Sequence, residues 1–204
     1  MRHVVDLRDQ GTSLDDIVKQ AMAKWPNVPA VFGWLSLDRR GNWLLRGETI
    51  SNPQINEFIR RNYLYDDEGR WYFQNGPQRV FVELACAPYV FSLQGRQLLT
   101  HTQHPVRVIQ RAWLDDTGTL LLLTEHGVGS VNDRDLELLL PHFVDAQSRP
   151  LDEDTLETLF DACAAQQPVA LWFQFGGAHV KIEPIHAADV PRQFGFQRQP
   201  QEQP

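Results

Sequence analysis

Two groups of residues in this chain carry side chains that could do chemistry. The first is His101, His104 and His126, with Glu125 beside the last. Imidazole and carboxylate are the ligands that zinc or iron takes, and a catalytic site would need three of them converging at about 2 Å. The second is Arg61, Arg70 and Arg79 around Tyr72, with Arg60 and Trp71 nearby. Guanidinium groups among aromatic rings suit a carboxylate or phosphate, through paired hydrogen bonds and cation–π contact. Strand alternation would put Arg70 and Tyr72 on one face and Trp71 and Phe73 on the other, leaving the arginine face for a ligand.

Other reactive types read as structure. Cys86 lies between Ala85 and Ala87 in an apolar run, which marks a core thiol rather than a nucleophile. Gly127-Val128-Gly129 lacks the third glycine and the downstream acid of a dinucleotide site. Asp133 and Asp135 would repel an anion at the helix expected from Asn132. The sequence holds no HExxH, CxxC or G-x-S-x-G pattern. His101 to His104 sits in a loop that ends at Pro105, not on a helix that would align ligands four residues apart.

The elements that must position these groups are mostly hairpins. One phrase recurs three times: an apolar strand, Asp-x-x-Gly, and a second apolar strand. The copies are Asp38 to Gly41, Asp66 to Gly69 and Asp115 to Gly118. Asp opens a turn by accepting backbone N–H bonds, and Gly supplies the positive φ that closes it. The glycines stand 28 and 49 residues apart, which rules out a fixed-period solenoid. The phrase therefore reads as turn chemistry, with a duplicated unit as the alternative.

Around these hairpins the pattern predicts about four helices. One starts with a capping box at Ser13 and carries Leu14, Ile17, Val18 and Met22 to a stop at Pro26. One starts at Asn52-Pro53 with Ile55, Phe58 and Ile59 as its stripe. One is capped by Asn132, and one by Asp152. The expected fold is α+β: a hairpin-rich, strongly curved antiparallel sheet or partial barrel. A main domain is expected over 1–145. An appended helix and hairpin over 146–192 either stand apart or belong to it, and a disordered tail is expected over 193–204.

Charge narrows the partners. The net charge is −7, and residues 132–161 alone hold nine acids against two arginines. That distribution disfavours nucleic acid and anionic membrane. The two cysteines, Cys86 and Cys163, read as buried free thiols in a reducing compartment. The opening residues carry no signal-peptide core, so a cytoplasmic protein is expected.

The stretch Gly41-x-Trp43, Gly47, Ile50, Leu64, Asp67-x-Gly69-x-Trp71, Val80-x-Val82-Glu83 and Ala87-Pro88 resembles a bacterial family known only as a domain of unknown function. The match extends loosely to His104-Pro105-Val106-Arg107. The resemblance implies a small bacterial cytosolic protein of mixed fold, and it transfers no catalytic residue. The favoured reading is a non-enzymatic binding or interaction protein without a cofactor. Its partner would be a protein or a small anion, contacted through Arg61, Arg70, Tyr72 and Arg79, with a homodimer conceivable. The alternative is a metal-dependent hydrolase on the loop histidines.

Overall fold

The structure is a computed structural model that describes residues 14–25 and 28–202. The cap expected at Ser13 and the stop expected at Pro26 lie outside the described residues. The chain forms two compact units. One holds the chain up to Pro88 together with the residues from Phe194 onward, and the other runs from Tyr89 to Gln193. The units thus divide at Pro88, where the sequence suggests a boundary near 145.

The first unit contains α1 (Asp16–Lys24), β1 (Val31–Leu37), β2 (Trp43–Leu45), β3 (Glu48–Thr49), α2 (Pro53–Arg61), β4 (Tyr63–Tyr65), β5 (Trp71–Asn75) and β6 (Gln78–Leu84). Its sheet runs β3-β2-β1-β6-β5-β4, with β1 parallel to β6 and the other neighbours antiparallel. The second unit contains β7 (Tyr89–Gln94), β8 (Gln97–Thr100), β9 (Ile109–Asp115), β10 (Leu120–Thr124), β11 (Gly127–Val131), α3 (Leu136–Leu139), β12 (Phe143–Val144), α4 (Glu153–Ala164), β13 (Trp172–Phe175) and β14 (Ala178–Ile185). Its sheet runs β12-β13-β14-β9-β10-β11-β7-β8, with β7 parallel to β11 and β14 parallel to β9. Helix α5 (Val190–Phe194) follows. The α+β class and the curved sheet hold, with two mixed sheets in place of one antiparallel sheet. Alternation along a strand gives no sign of whether its neighbour runs parallel, so the three parallel pairs were invisible in the sequence.

The two sheets share a topology. In the first unit a hairpin (β1-β2) is followed by a three-strand meander (β4-β5-β6), whose last strand pairs parallel to β1. In the second unit β7-β8 and β9-β10-β11 repeat the order, with β11 parallel to β7. The second and third Asp-x-x-Gly phrases occupy the same turn, the first of each meander. The two units thus repeat one strand order, and the glycine spacing is irregular because Gly41 lies in the β1-β2 turn while Gly69 and Gly118 lie in the equivalent β4-β5 and β9-β10 turns.

The turn chemistry is uniform. Asp66 accepts the amides of Glu68 at 3.1 Å and Arg70 at 3.0 Å. Asp38 and Asp115 accept the amides two and four residues ahead in the same way. A fourth copy stands at Asp145, which accepts the amides of Gln147 at 2.8 Å and Arg149 at 2.9 Å. Ser148 takes the glycine position there with φ +61°, which is why the Asp-x-x-Gly pattern passes over it.

Several local expectations change. The helix expected from Asn132 is two 3-10 turns around the four-residue α3, broken where Pro141 cannot donate an N–H. Ile17 and Ile55, expected in buried stripes, are exposed, while Val18 and Ile59 are buried. The tail expected to be disordered is seated on the first unit through the described residues. Phe196 is buried, the Gln197 amide donates to Gly69 O at 2.9 Å, and the Gln197 side chain donates to Glu68 O at 3.0 Å. Gly69 is what admits it, since a Cβ there would lie 2.0 Å from Gly195 O. Cys86 and Cys163 are free and buried, and burial pushes the Cys163 thiol up.

Candidate functional site: the face of the Gln74–Arg79 strand pair

The β5-β6 hairpin sets the site. Its register pairs Tyr72 with Phe81 and Gln74 with Arg79, while Phe73 pairs with Val80. Tyr72, Gln74, Arg79 and Phe81 thus share one face, and Phe73 turns to the other to meet Phe58 of α2 edge-on at 5.4 Å. The Arg79 guanidinium lies over the Tyr72 ring at 4.8 Å, and Arg70 lies over Phe81 at 4.8 Å. Burial raises the Tyr72 phenol above its ordinary value, Arg79 works against that, and Asp66 adds to it.

Beside this pair opens a cavity of about 250 Å³. Met22 lines it from α1 and Trp25 from the residue that follows the helix, Val28 and Ala30 from the segment ahead of β1, and Gln74, Pro77 and Arg79 from the hairpin. Gln74 is 1% exposed. Its amide nitrogen donates to Gly76 O at 2.9 Å, and a backbone carbonyl can only accept, so the amide orientation is fixed. Its Oε1 is buried and meets no donor among the described residues. Arg79 is exposed and forms no ion pair among the described residues.

The other arginines of the sequence reading are occupied elsewhere. Arg70 pairs with Asp66 at 2.8 Å and Glu68 at 3.3 Å, holding its own turn. Arg61 pairs with Asp15 at 3.2 Å and Glu57 at 3.1 Å. The Asp15 amide also donates to Asn62 Oδ1 at 3.1 Å. These bonds moor the start of α1 to the end of α2, so Arg61 acts on the cavity only by seating the helix that carries Met22 and Trp25. The hydrogen bond from Arg61 holds the Asp15 carboxyl below its usual value.

The histidines are brought partly together. His104 and His126 stack with ring centres 5.8 Å apart, and Tyr89 lies 5.7 Å from His101 and 6.3 Å from His126. Their nitrogens, however, hold the loop. His126 Nε2 donates to Pro105 O at 2.9 Å, and His101 Nδ1 accepts the Val90 amide at 3.3 Å. His104 Nδ1 bonds Thr102 Oγ1 at 3.1 Å. The two oxygens of Glu125 accept the Arg107 and Val108 amides at 2.6 and 3.1 Å. No three His, Cys, Asp or Glu side chains gather into a metal set among the described residues. Burial first, then the charge of His126, pushes the His104 imidazole down.

Gly127-Val128-Gly129 opens strand β11, and a Cβ on Gly129 would lie 2.5 Å from the Phe91 ring. Gly129 thus serves close packing. Sequence reasoning missed Gln74, Met22 and Trp25. A glutamine in an apolar strand was the available signal, since it sits where a core residue belongs.

The family model DUF2944, described as "Protein of unknown function (DUF2946)", matches residues 14–201. No curated protein matches the chain. Among solved structures, a DUF1285 family protein from Silicibacter pomeroyi DSS-3 is similar at 14% identity and TM-score 0.49, over 90% of this chain and 93% of that one. A DUF1285 family protein from Shewanella baltica OS155 is similar at 14% identity and TM-score 0.39, over 52% of this chain and 88% of that one. Nothing in the comparisons names a function or supports a metal-dependent hydrolase.

Proposed function

The chain belongs to the family described as "Protein of unknown function (DUF2946)", and we propose that it is a non-enzymatic binding protein that holds a small anion at Arg79. One observation carries this reading. In the first module the second strand pair from the hairpin turn is Gln74–Arg79. In the second module the equivalent pair is Leu123–Val128, both buried. The fold does not need polarity at this place, so the exposed guanidinium is an addition of the first module.

A guanidinium stacked on a tyrosine ring keeps its N–H fork for a planar anion. The described residues lining the cavity bring no carboxylate, imidazole, hydroxyl or thiol, and they therefore favour holding a ligand over transforming it. A cytosolic setting fits two buried free cysteines. No described helix is long and apolar enough to cross a membrane.

The test is a proton–nitrogen shift titration of the labelled protein with acetate and with inorganic phosphate. Concentrations of roughly 10 mM exceed the millimolar affinity typical of one ion contact. The expected result is a saturable shift at the Arg79 and Trp25 side-chain N–H groups that Arg79→Met abolishes. Equal shifts in the wild type and Arg79→Met would contradict it.

A further inference from the structure

We infer that the C-terminal segment Phe196-Gln197-Arg198-Gln199-Pro200 is a detachable docking peptide, and that the groove holding it on the first unit accepts the same segment from a second copy of this chain.

Chain ends are loose unless something ties them down, and this segment is held along its length. Phe196 is 6% exposed, Pro200 is buried, and Gln199 between them faces water. The Gln197 amide donates to Gly69 O at 2.9 Å, and the Leu84 amide donates to Arg198 O at 2.8 Å. The Gln197 side chain donates to Glu68 O at 3.0 Å, and Arg198 Nε donates to Cys86 O at 3.1 Å. In all four bonds the groove contributes a main-chain atom, from the β4-β5 turn or from the end of β6. Phe196, Arg198 and Pro200 are the alternate side chains that fix the register. Recognition of an extended peptide divides in this way, with main-chain bonds for affinity and alternate side chains for specificity. Gly69 shapes the seat, because a Cβ there would lie 2.0 Å from Gly195 O and 3.0 Å from Phe196 Cα.

The groove and its peptide are far apart along the chain. The second unit runs from Tyr89 to Gln193, and the segment that follows it belongs to the first unit. Gly195 stands directly ahead of the segment with φ +70°, and a Cβ there would meet nothing within 4 Å among the described residues. Glycine at this place therefore serves the turn of the backbone and not close packing. The structure shows the groove holding this peptide, and a second copy brings the same peptide and the same groove. Exchange of an identical terminal element is a low-cost route to a dimer. Within one chain the tether keeps the segment near its own groove at an effective concentration of roughly millimolar order. Exchange prevails where the protein reaches that range, or where the chain's own seat is closed.

The experiment mixes two full-length variants. Gly69→Ala closes the groove and keeps the segment, while Phe196→Ala with Arg198→Ala keeps the groove and weakens the segment. Each is run alone and in equimolar mixture at about 0.1 mM on a sizing column with light scattering, below the range of the tethered segment. Each variant alone, and the wild type, should show the mass of one chain. The mixture should show a species of twice that mass. Excess synthetic peptide of residues 195–204 should dissolve it, and it should not form when the segment-weakened partner also carries Gly69→Ala. Should circular dichroism show either variant unfolded, the wild type at several millimolar takes their place, with a doubled mass that the peptide dissolves as the expected result. A single mass in the mixture, or in the concentrated wild type, would overturn the proposal. Peptide that binds the segment-weakened variant while no chains pair would overturn it as well, since the groove would then serve a free peptide and not a second copy.

Discussion

Gln74→Leu tests what an unpartnered buried amide oxygen costs the fold. Gln74 is 1% exposed, and its Oε1 meets no donor among the described residues. Leaving a buried acceptor without a partner costs about 1–3 kcal/mol. Leucine has nearly the same shape, removes that oxygen, and is the residue at the equivalent place in the second module, Leu123. The loss is the bond from Nε2 to Gly76 O, a neutral contact with a net value of about 0.5–1.5 kcal/mol. The balance is a gain of about 1 kcal/mol, or roughly 2–4 °C in Tm for a chain of this size. Thermal unfolding followed by circular dichroism is the assay. Gln74→Leu should melt higher than the wild type. A variant that melts lower by several degrees would refute the reasoning, because the amide would then be structural.

Three further outcomes follow from the geometry. Gly69→Ala forces a Cβ to 2.0 Å from Gly195 O at φ +73°, whereas Gly118→Ala, at φ +80°, meets nothing within 4 Å. Both variants bear left-handed strain of about 1–2 kcal/mol, but Gly69→Ala alone should release the C-terminal segment, seen as faster tryptic cleavage at Arg198. Ser148→Gly relieves a left-handed serine at φ +61° and should raise Tm, with a gain below about 1 kcal/mol because glycine also loosens the unfolded chain. His104 has a depressed folded pKa from burial and from His126. The unfolded chain then binds a proton that the folded chain refuses, so stability is full above the ordinary value near 6.5 and falls as pH drops below it. His104→Asn should flatten that slope in urea melts at pH values either side of it.

The sequence made the turns and the class of fold legible because Asp and Gly act locally. Asp38, Asp66 and Asp115 do what their spacing says. The face assignment at Tyr72 also followed from alternation alone, and the register confirms that Tyr72 and Phe73 look opposite ways. Parallel joining of β1 to β6 could not be read, because it is made by residues far apart in the chain. Nor could the partners of Arg61 and Arg70. Four arginines looked alike in sequence, and only placement shows that Asp15 and Asp66 claim two of them. The cavity was hidden for the same reason: Met22 and Trp25 lie some fifty residues before Gln74, and Met22 read as part of a helix stripe. Ser148 shows the limit of a pattern search, since its backbone takes the glycine conformation without the glycine.

The central claim is that Arg79 is a binding group and not a surface charge resting on Tyr72. A titration of the labelled wild type with acetate tests it most directly, followed at the Arg79 Nε–H and Trp25 indole N–H resonances. Saturable movement of both signals, absent in Arg79→Met, is the result the structure predicts. Movement of neither signal, or movement that persists in Arg79→Met, would contradict it.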